Sequence, residues 1–152
     1  MYAKKSLGQN FLKSEAALRE IIEAGEIAVG ETVLEIGPGR GALTEYLLAA
    51  GATVIAVEKD RELIAVLNET FTEAITAGKL RIIEADILEW NRAELPTNYK
   101  VIANIPYYIT GAIIRMFFEA DAQPTKMVWR VQKEVADRIV ARDGKESILS
   151  IS

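Results

Sequence analysis

A set of glycine and acidic residues in this chain could form a ligand site, because each follows an apolar segment of strand length. Glycines occupy positions 37, 39 and 41, directly after the segment 32–36. Glu58 ends the next such segment, 21 residues after Gly37. Glycines at this spacing let a ligand approach the backbone closely, and the acidic side chain can accept hydrogen bonds from ribose hydroxyls. Taken alone, the glycines could also form only a tight turn between a strand and a helix.

Asp86 follows a third apolar segment and is a further candidate. Its acceptor oxygens suit the amine of adenine, although an aspartate in this position can also cap a helix. The same alternative applies to Glu58, because acidic residues often begin the helix that follows a strand. Asp60 is available as that cap, which leaves Glu58 for a ligand.

Residues 104–107 follow a fourth apolar segment and suggest a reaction. An asparagine side-chain oxygen and a neighbouring backbone carbonyl can each accept one hydrogen of an aromatic amine, so that the nitrogen lone pair is directed at a methyl donor. Pro106 would fix a turn that exposes the carbonyl of Ile105, and Tyr107 could stack on a flipped base. The alternative is a plain loop with a buried aromatic ring. The predicted catalytic group is Asn104, Ile105, Pro106 and Tyr107.

The composition restricts the chemistry that is available. The chain contains no cysteine and no histidine, which removes disulfides, thiolate nucleophiles, structural zinc and the commonest general base. We therefore expect no metal site. Amine methylation by the group at residues 104–107 needs none of these side chains.

The elements that must position these residues follow from the alternation of apolar runs with segments of helical period. This alternation predicts an α/β fold with a doubly wound, open parallel sheet in the order 3-2-1-4-5, whose ligand crevice lies at the carboxyl ends of the strands. The predicted strands are 32–36, 53–58, 80–84, 100–103 and 127–131. The predicted helices are 15–25 with Ser14 as cap, 42–50, a helix begun by Asp60 and ended by Gly78, a helix begun by Thr110, and 133–141.

Length and composition point to one folded domain. Of the 152 residues, 50% are apolar and 26% are charged, which argues against disorder. No apolar run approaches the roughly 20 residues needed to cross a bilayer, and no signal-peptide pattern opens the chain. We therefore expect a cytoplasmic protein without a membrane partner. The net charge of −4 weakens the case for a wide basic surface that binds nucleic acid.

Four motifs resemble the KsgA-type ribosomal RNA adenine dimethyltransferases, to which the erythromycin-resistance ribosomal RNA methylases are related. The motifs are KKSLGQNFL at 4–12, EIGPGRG at 35–41, NIPYYIT at 104–110 and VQKEVA at 131–136. Enzymes of this family use S-adenosylmethionine to dimethylate adjacent adenines of small-subunit ribosomal RNA. The resemblance implies the same cofactor, a Rossmann-like methyltransferase core, and ribosomal RNA or the small ribosomal subunit as partner. It also implies a single methyltransferase domain over 1–152, with an N-terminal arm at 1–13.

The resemblance assigns roles to individual residues. Gln9 and Asn10 would close over the methionine end of the cofactor, and Glu58 would hold its ribose. Asp86 would hold its adenine. The full set of implied cofactor contacts is Gln9, Asn10, Leu12, Gly37, Gly39, Glu58, Lys59, Asp86, Ile87 and Asn104.

Family members continue beyond the point that matches residues 146–152, with two further strands and a small helical domain. We therefore expect 146–152 to be the first turns of a helix and 127–131 to be an exposed edge strand. The chain would self-associate through this edge or through the segment 146–152. Without the two further strands and the helical domain, we expect RNA selection and turnover to be affected more than cofactor binding, because every cofactor motif lies before Gln132. Two alternatives stay open, a non-catalytic RNA-binding or ribosome-assembly module and a nicotinamide-dependent oxidoreductase; the motif at 104–107 disfavours the second.

Overall fold

The computed structural model describes residues 15–104, 110–130 and 148–151. The strands are β1 (Thr32–Ile36), β2 (Thr53–Glu58), β3 (Leu80–Glu84), β4 (Lys100–Asn104), β5 (Lys126–Arg130) and β6 (Ile148–Ile151). The helices are α1 (Glu15–Gly25), α2 (Ala42–Ala49), α3 (Arg61–Thr70), α4 (Thr72–Thr76) and α5 (Thr110–Phe118), and a 3-10 turn covers Arg92–Glu94. The five predicted strands are confirmed, each within one residue. The predicted cap at Ser14 and the helix at 133–141 lie outside the described residues.

The strands form one sheet in the order β3-β2-β1-β4-β5-β6. The first five pair in parallel, which confirms the predicted fold class and the order 3-2-1-4-5. The last residue of β1, Ile36, is paired with Val57 on one side and with Ala103 on the other. The carboxyl ends of these three strands therefore lie at one edge of the sheet, called here the carboxyl edge.

The sixth strand corrects one expectation. Residues 148–151 form β6, which pairs antiparallel with β5 from Met127↔Ile151 to Arg130↔Ile148. The prediction that these residues begin a helix is wrong, and so is the prediction that β5 is the exposed edge of the sheet. The physical reason is that β5 otherwise presents unpaired backbone groups, and a short segment rich in β-branched residues pairs with such a template. In the part of the chain that the structure describes, the outer strand on this side is β6.

Apolar side chains pack on both faces of the sheet. One core cluster, which includes Leu34, Ile36, Val101 and Phe117, lies on the face covered by α5. The other cluster lies on the face covered by α1 and α2; it contains Leu18, Ile21, Val33, Leu43, Leu47 and Val128. Burial on both faces explains why the strands read as nearly continuous apolar runs.

The predicted helix after β2 is interrupted at Phe71, whose φ of −112° and ψ of 31° are not helical. The interruption leaves few backbone groups unpaired. The amide of Phe71 donates to the Leu67 carbonyl at 2.9 Å, and the Thr72 hydroxyl donates to the carbonyls of Asn68 and Glu69 at 2.9 and 3.1 Å. The helical dihedrals are therefore interrupted at Phe71 while the carbonyls of Leu67, Asn68 and Glu69 stay hydrogen-bonded.

Candidate functional site

The glycine loop, residues 37–41, connects β1 to α2 at the carboxyl edge. Gly37, Gly39 and Gly41 have φ values of 68°, 60° and 94°, which an L residue rarely adopts. The Gly37 amide donates to the Val57 carbonyl at 3.0 Å, and the Gly41 amide donates to the Pro38 carbonyl at 2.9 Å. A β-carbon built on Gly39 would find nothing within 4 Å. Gly39 is thus required by the backbone conformation, and the space beside it is open to a ligand.

Glu58 ties the glycine loop to the end of β2. The residue is only 7% exposed. Its Oε1 accepts a hydrogen bond from the Gly39 amide at 3.2 Å, and its Oε2 accepts from the amides of Lys59 and Asp60, each at 3.0 Å. A carboxylate offers about four acceptor positions, so ligand hydroxyls can still bind, most readily at Oε1, whose bond to Gly39 is the longest.

Asp60 caps α3, as predicted, because its Oδ1 accepts from the Glu62 amide at 2.9 Å. Glu58 is therefore not the side chain that caps this helix. Lys59 lies between these two residues and is exposed. Its amide already donates to Glu58, which leaves its side chain as the group that could reach a ligand.

Asp86 begins the turn that follows β3. Its Oδ1 accepts from the Leu88 amide at 3.0 Å, and its carbonyl accepts from the amides of Glu89 and Trp90, each at 2.9 Å. Asp86 therefore stabilises a turn, and residues 87–89 form this turn and not the helix that the capping alternative requires. The second carboxylate oxygen leaves it able to accept an amine as well.

The residues after Asp86 separate into a buried and an exposed position. Ile87 is 6% exposed and packs in the core cluster covered by α5, so its side chain does not face the open edge. Leu88 is 42% exposed and lies next to Asp86. Sequence reasoning selected Ile87 and missed Leu88, because a pair of adjacent apolar residues does not reveal which of them is buried.

Asn104 is the last residue of β4, and its backbone is in register with Arg130. Its predecessor Ala103 pairs with Ile36, directly before the glycine loop. The backbone therefore brings Asn104 to the carboxyl edge beside that loop, as expected. The other predicted residues, namely Gln9, Asn10, Leu12, Ile105, Pro106 and Tyr107, lie outside the described residues, and their roles stay predictions.

Glu35 is a buried acid that the sequence analysis did not single out. It is 1% exposed, and its Oε1 accepts a hydrogen bond from the Thr44 hydroxyl at 2.5 Å. Burial raises the pKa of Glu35 to about 7; the charge of Glu58 also raises it, and the hydrogen bond from Thr44 lowers it. The bond joins β1 to the first turn of α2, directly across the glycine loop. The available signal was a glutamate inside an otherwise apolar strand.

The carboxyl edge fits S-adenosylmethionine on the evidence of these groups. The loop has open space at Gly39 where a ligand can approach the backbone. The carboxylates of Glu58 and Asp86 have acceptor positions that their own hydrogen bonds leave available, and Leu88 has exposed apolar surface. In the described ranges, no cluster of acidic residues suited to a metal ion occurs. The described helices are also too short or too polar to cross a membrane.

Comparisons with known proteins agree with the motifs. A family model described as ribosomal RNA adenine dimethylase matches residues 1–152. A protein named ribosomal RNA small subunit methyltransferase A, from Dehalococcoides mccartyi, is 45% identical over 99% of this chain and 52% of its own length. A protein of the same name from Deinococcus radiodurans is 48% identical over 94% of this chain and 47% of its own length. The chain thus spans about half the length of the curated relatives it matches.

Solved structures share the fold over about half of their own length. The 23S ribosomal RNA methyltransferase ErmE superposes with a TM-score of 0.75 at 28% identity, over 89% of this chain and 53% of ErmE. A dimethyladenosine transferase from Plasmodium falciparum gives a TM-score of 0.72 at 30% identity, over 89% of this chain and 48% of that one. The resemblance inferred from four short motifs is confirmed over the whole chain, which belongs to the ribosomal RNA adenine dimethylase family.

Proposed function

We propose that this chain is a methyltransferase domain that binds S-adenosylmethionine at the carboxyl edge and methylates the exocyclic amine of adenine in ribosomal RNA. The observation that carries the proposal is the link from the Glu58 carboxylate to the Gly39 amide, which joins the acidic end of β2 to the glycine loop. The turn at Asp86 and the end of β4 at Asn104 lie at the same edge. The names of the relatives support the substrate.

Three described residues divide the work of binding. Glu58 accepts from the ribose hydroxyls, because it is the buried carboxylate closest in the fold to the open position at Gly39. Asp86 accepts from the adenine amine through the oxygen that its own turn leaves available. Leu88 covers one face of the adenine ring with exposed apolar surface.

The reaction requires a positioned amine. When bound, S-adenosylmethionine supplies an electrophilic methyl group on a sulfonium sulfur. The Asn104 side chain and the carbonyl of Ile105 would hold the two amine hydrogens and so orient the nitrogen lone pair, and Tyr107 would stack on the base. Because the chain has no histidine or cysteine, orientation by hydrogen-bond acceptors is the contribution that these residue types allow.

The proposal extends to the target and to assembly. The relatives' names favour small-subunit ribosomal RNA as the substrate, and we propose the cytoplasm as the location because such a substrate would place the chain there. For self-association we propose β6 rather than β5 as the contact, because β6 is the outermost strand of the sheet on that side among the described residues. An outermost strand can pair with a strand of a second copy.

A methyl-transfer assay separates the proposal from the alternatives. The chain is incubated with labelled S-adenosylmethionine and small-subunit ribosomal RNA, and the RNA is digested to nucleosides. We expect label in methylated adenosine, and its loss in Asn104→Ala. Binding of cofactor or RNA without label in the wild type would favour a non-catalytic RNA-binding module. Tight binding of NAD in place of S-adenosylmethionine would favour an oxidoreductase.

A further inference from the structure

The ring of Phe71 lies directly against the last residue of the glycine loop. A β-carbon built on Gly41 would be 2.3 Å from Cε2 and 2.8 Å from Cζ of Phe71, and 3.1 Å from Cδ2 of Leu67. Real β-carbons do not come this close to other heavy atoms. The α-carbon of Gly41 therefore rests on the ring, and only a residue without a side chain allows this approach.

Phe71 is itself held in place. It occupies the break between α3 and α4, where its amide donates to the Leu67 carbonyl at 2.9 Å and its carbonyl accepts from the Ile75 amide at 3.0 Å. Its side chain is half-buried and packs against the core cluster covered by α1 and α2. A ring fixed at its backbone and packed on the core is a firm support, unlike the free end of a flexible side chain.

The glycine loop is held at three points by one continuous stretch of chain, β2 with α3 and α4. Its first glycine donates to the Val57 carbonyl at 3.0 Å, and its second donates to Glu58 Oε1 at 3.2 Å. The third contact is the Phe71 ring beneath Gly41. The first two contacts are hydrogen bonds at the open end of the loop, and the third supports the end that begins α2.

We propose that Phe71 is a positioning residue for the cofactor site: its ring sets the position of Gly41, and through it the position of the glycine loop relative to Glu58. This inference rests on the proposed function, because it concerns the site to which we assign S-adenosylmethionine. Phe71 acts only through Gly41. Its contact with the loop arises from the tertiary fold, since the two residues lie 30 positions apart in the sequence.

The test compares Phe71→Ala and Phe71→Leu with Ile75→Ala, a partly buried neighbour in the same core cluster. S-adenosylmethionine affinity is measured by calorimetry at a temperature where circular dichroism shows every variant folded. We expect Phe71→Ala to weaken binding about tenfold, because a loop displaced by less than an ångström loses productive geometry. Phe71→Leu should be intermediate. Ile75→Ala should lower the melting temperature with an affinity within about twofold of the wild type.

A double-mutant cycle identifies the contact itself. Gly41→Ala alone should weaken binding, since its β-carbon meets the ring. In Phe71→Ala, the space left by the ring accommodates that β-carbon. The loss of affinity in the double variant should therefore be smaller than the product of the losses in the two single variants. The strain of a positive φ at position 41 is present in both backgrounds and cancels in the cycle.

The outcomes are distinguishable. If the wild-type chain does not bind S-adenosylmethionine, the proposed function fails and the inference fails with it. If the wild type binds but folded Phe71→Ala and Phe71→Leu bind equally well, the cofactor site stands and the positioning role is refuted. The positioning role would also be refuted if the loss of affinity in the double variant equalled the product of the losses in the two single variants. Should Phe71→Ala not fold, Phe71→Leu and the cycle built on Phe71→Leu decide the question.

Discussion

The buried carboxyl of Glu35 makes the stability of this domain depend on pH near neutrality. Its pKa is raised from 4.5 to about 7 in the folded chain, chiefly by burial. Between these two values the folded state binds a proton that the unfolded state has released, so the free energy of unfolding falls as pH rises. The stabilisation that comes from the raised pKa of Glu35 is fully present below about pH 4.5 and lost above about pH 7.

The size of the effect follows from the two pKa values. The full difference corresponds to about 3 kcal/mol, since each pKa unit is about 1.4 kcal/mol. Between about pH 5.5 and pH 8.5, a practical range for urea titrations, about 2 kcal/mol of this is lost. Glu35→Gln keeps an acceptor for the Thr44 hydroxyl and cannot ionise, so its free energy of unfolding should not show this loss.

The assay is urea unfolding of the wild type and Glu35→Gln at both pH values. The comparison cancels other carboxyls, such as Glu26, whose pKa is held below its ordinary value by the hydrogen bond from Lys126. Glu45→Gln, an exposed substitution on α2, is the matched control and should follow the wild type. If the free energy of unfolding changed equally with pH in the wild type and in Glu35→Gln, the reasoning would be refuted.

Three further predictions concern the carboxyl edge and the sheet's outer strand. Glu58→Ala should weaken S-adenosylmethionine binding roughly 5- to 150-fold in calorimetry, because it leaves ligand hydroxyls unpaired, whereas exposed Glu69→Ala should not. Asn104→Ala should lower the methyl-transfer rate by several decades while the cofactor Kd stays within a few-fold; an equal loss in both would indicate a collapsed site. Ser150→Pro, which removes a backbone donor from β6, should change the light-scattering mass across a dilution series; an unchanged mass would exclude assembly through this strand.

Most of the sheet could be predicted because its central strands are buried on both faces and because a glycine lies shortly before each of β1, β2 and β3. Val33 and Leu34 face opposite clusters, so the whole segment reads as apolar. The carboxyl-edge residues followed from the same pattern, since each stands at the end of such a segment. Asp60 was correctly assigned as a cap because its local bond to the Glu62 amide depends on sequence neighbours alone.

The features that were missed depend on contacts between distant parts of the chain. The strand at 148–151 exists because β5 offers it a partner, and a four-residue apolar segment does not by itself distinguish strand from helix. The helix is interrupted at Phe71, and the ring of this residue contacts Gly41, which lies 30 positions earlier in the sequence. The pKa of Glu35 is set by burial under α2, which no local pattern reports.

The central claim is that the carboxyl edge of this chain binds S-adenosylmethionine. Calorimetric titration of the 152-residue chain with S-adenosylmethionine, beside NAD as the competing dinucleotide, tests this most directly. We predict saturable binding of S-adenosylmethionine, weakened by Glu58→Ala, and no saturable binding of NAD. Absence of S-adenosylmethionine binding at about millimolar ligand, where even a weak site of about −4 kcal/mol would be half filled, would contradict the account.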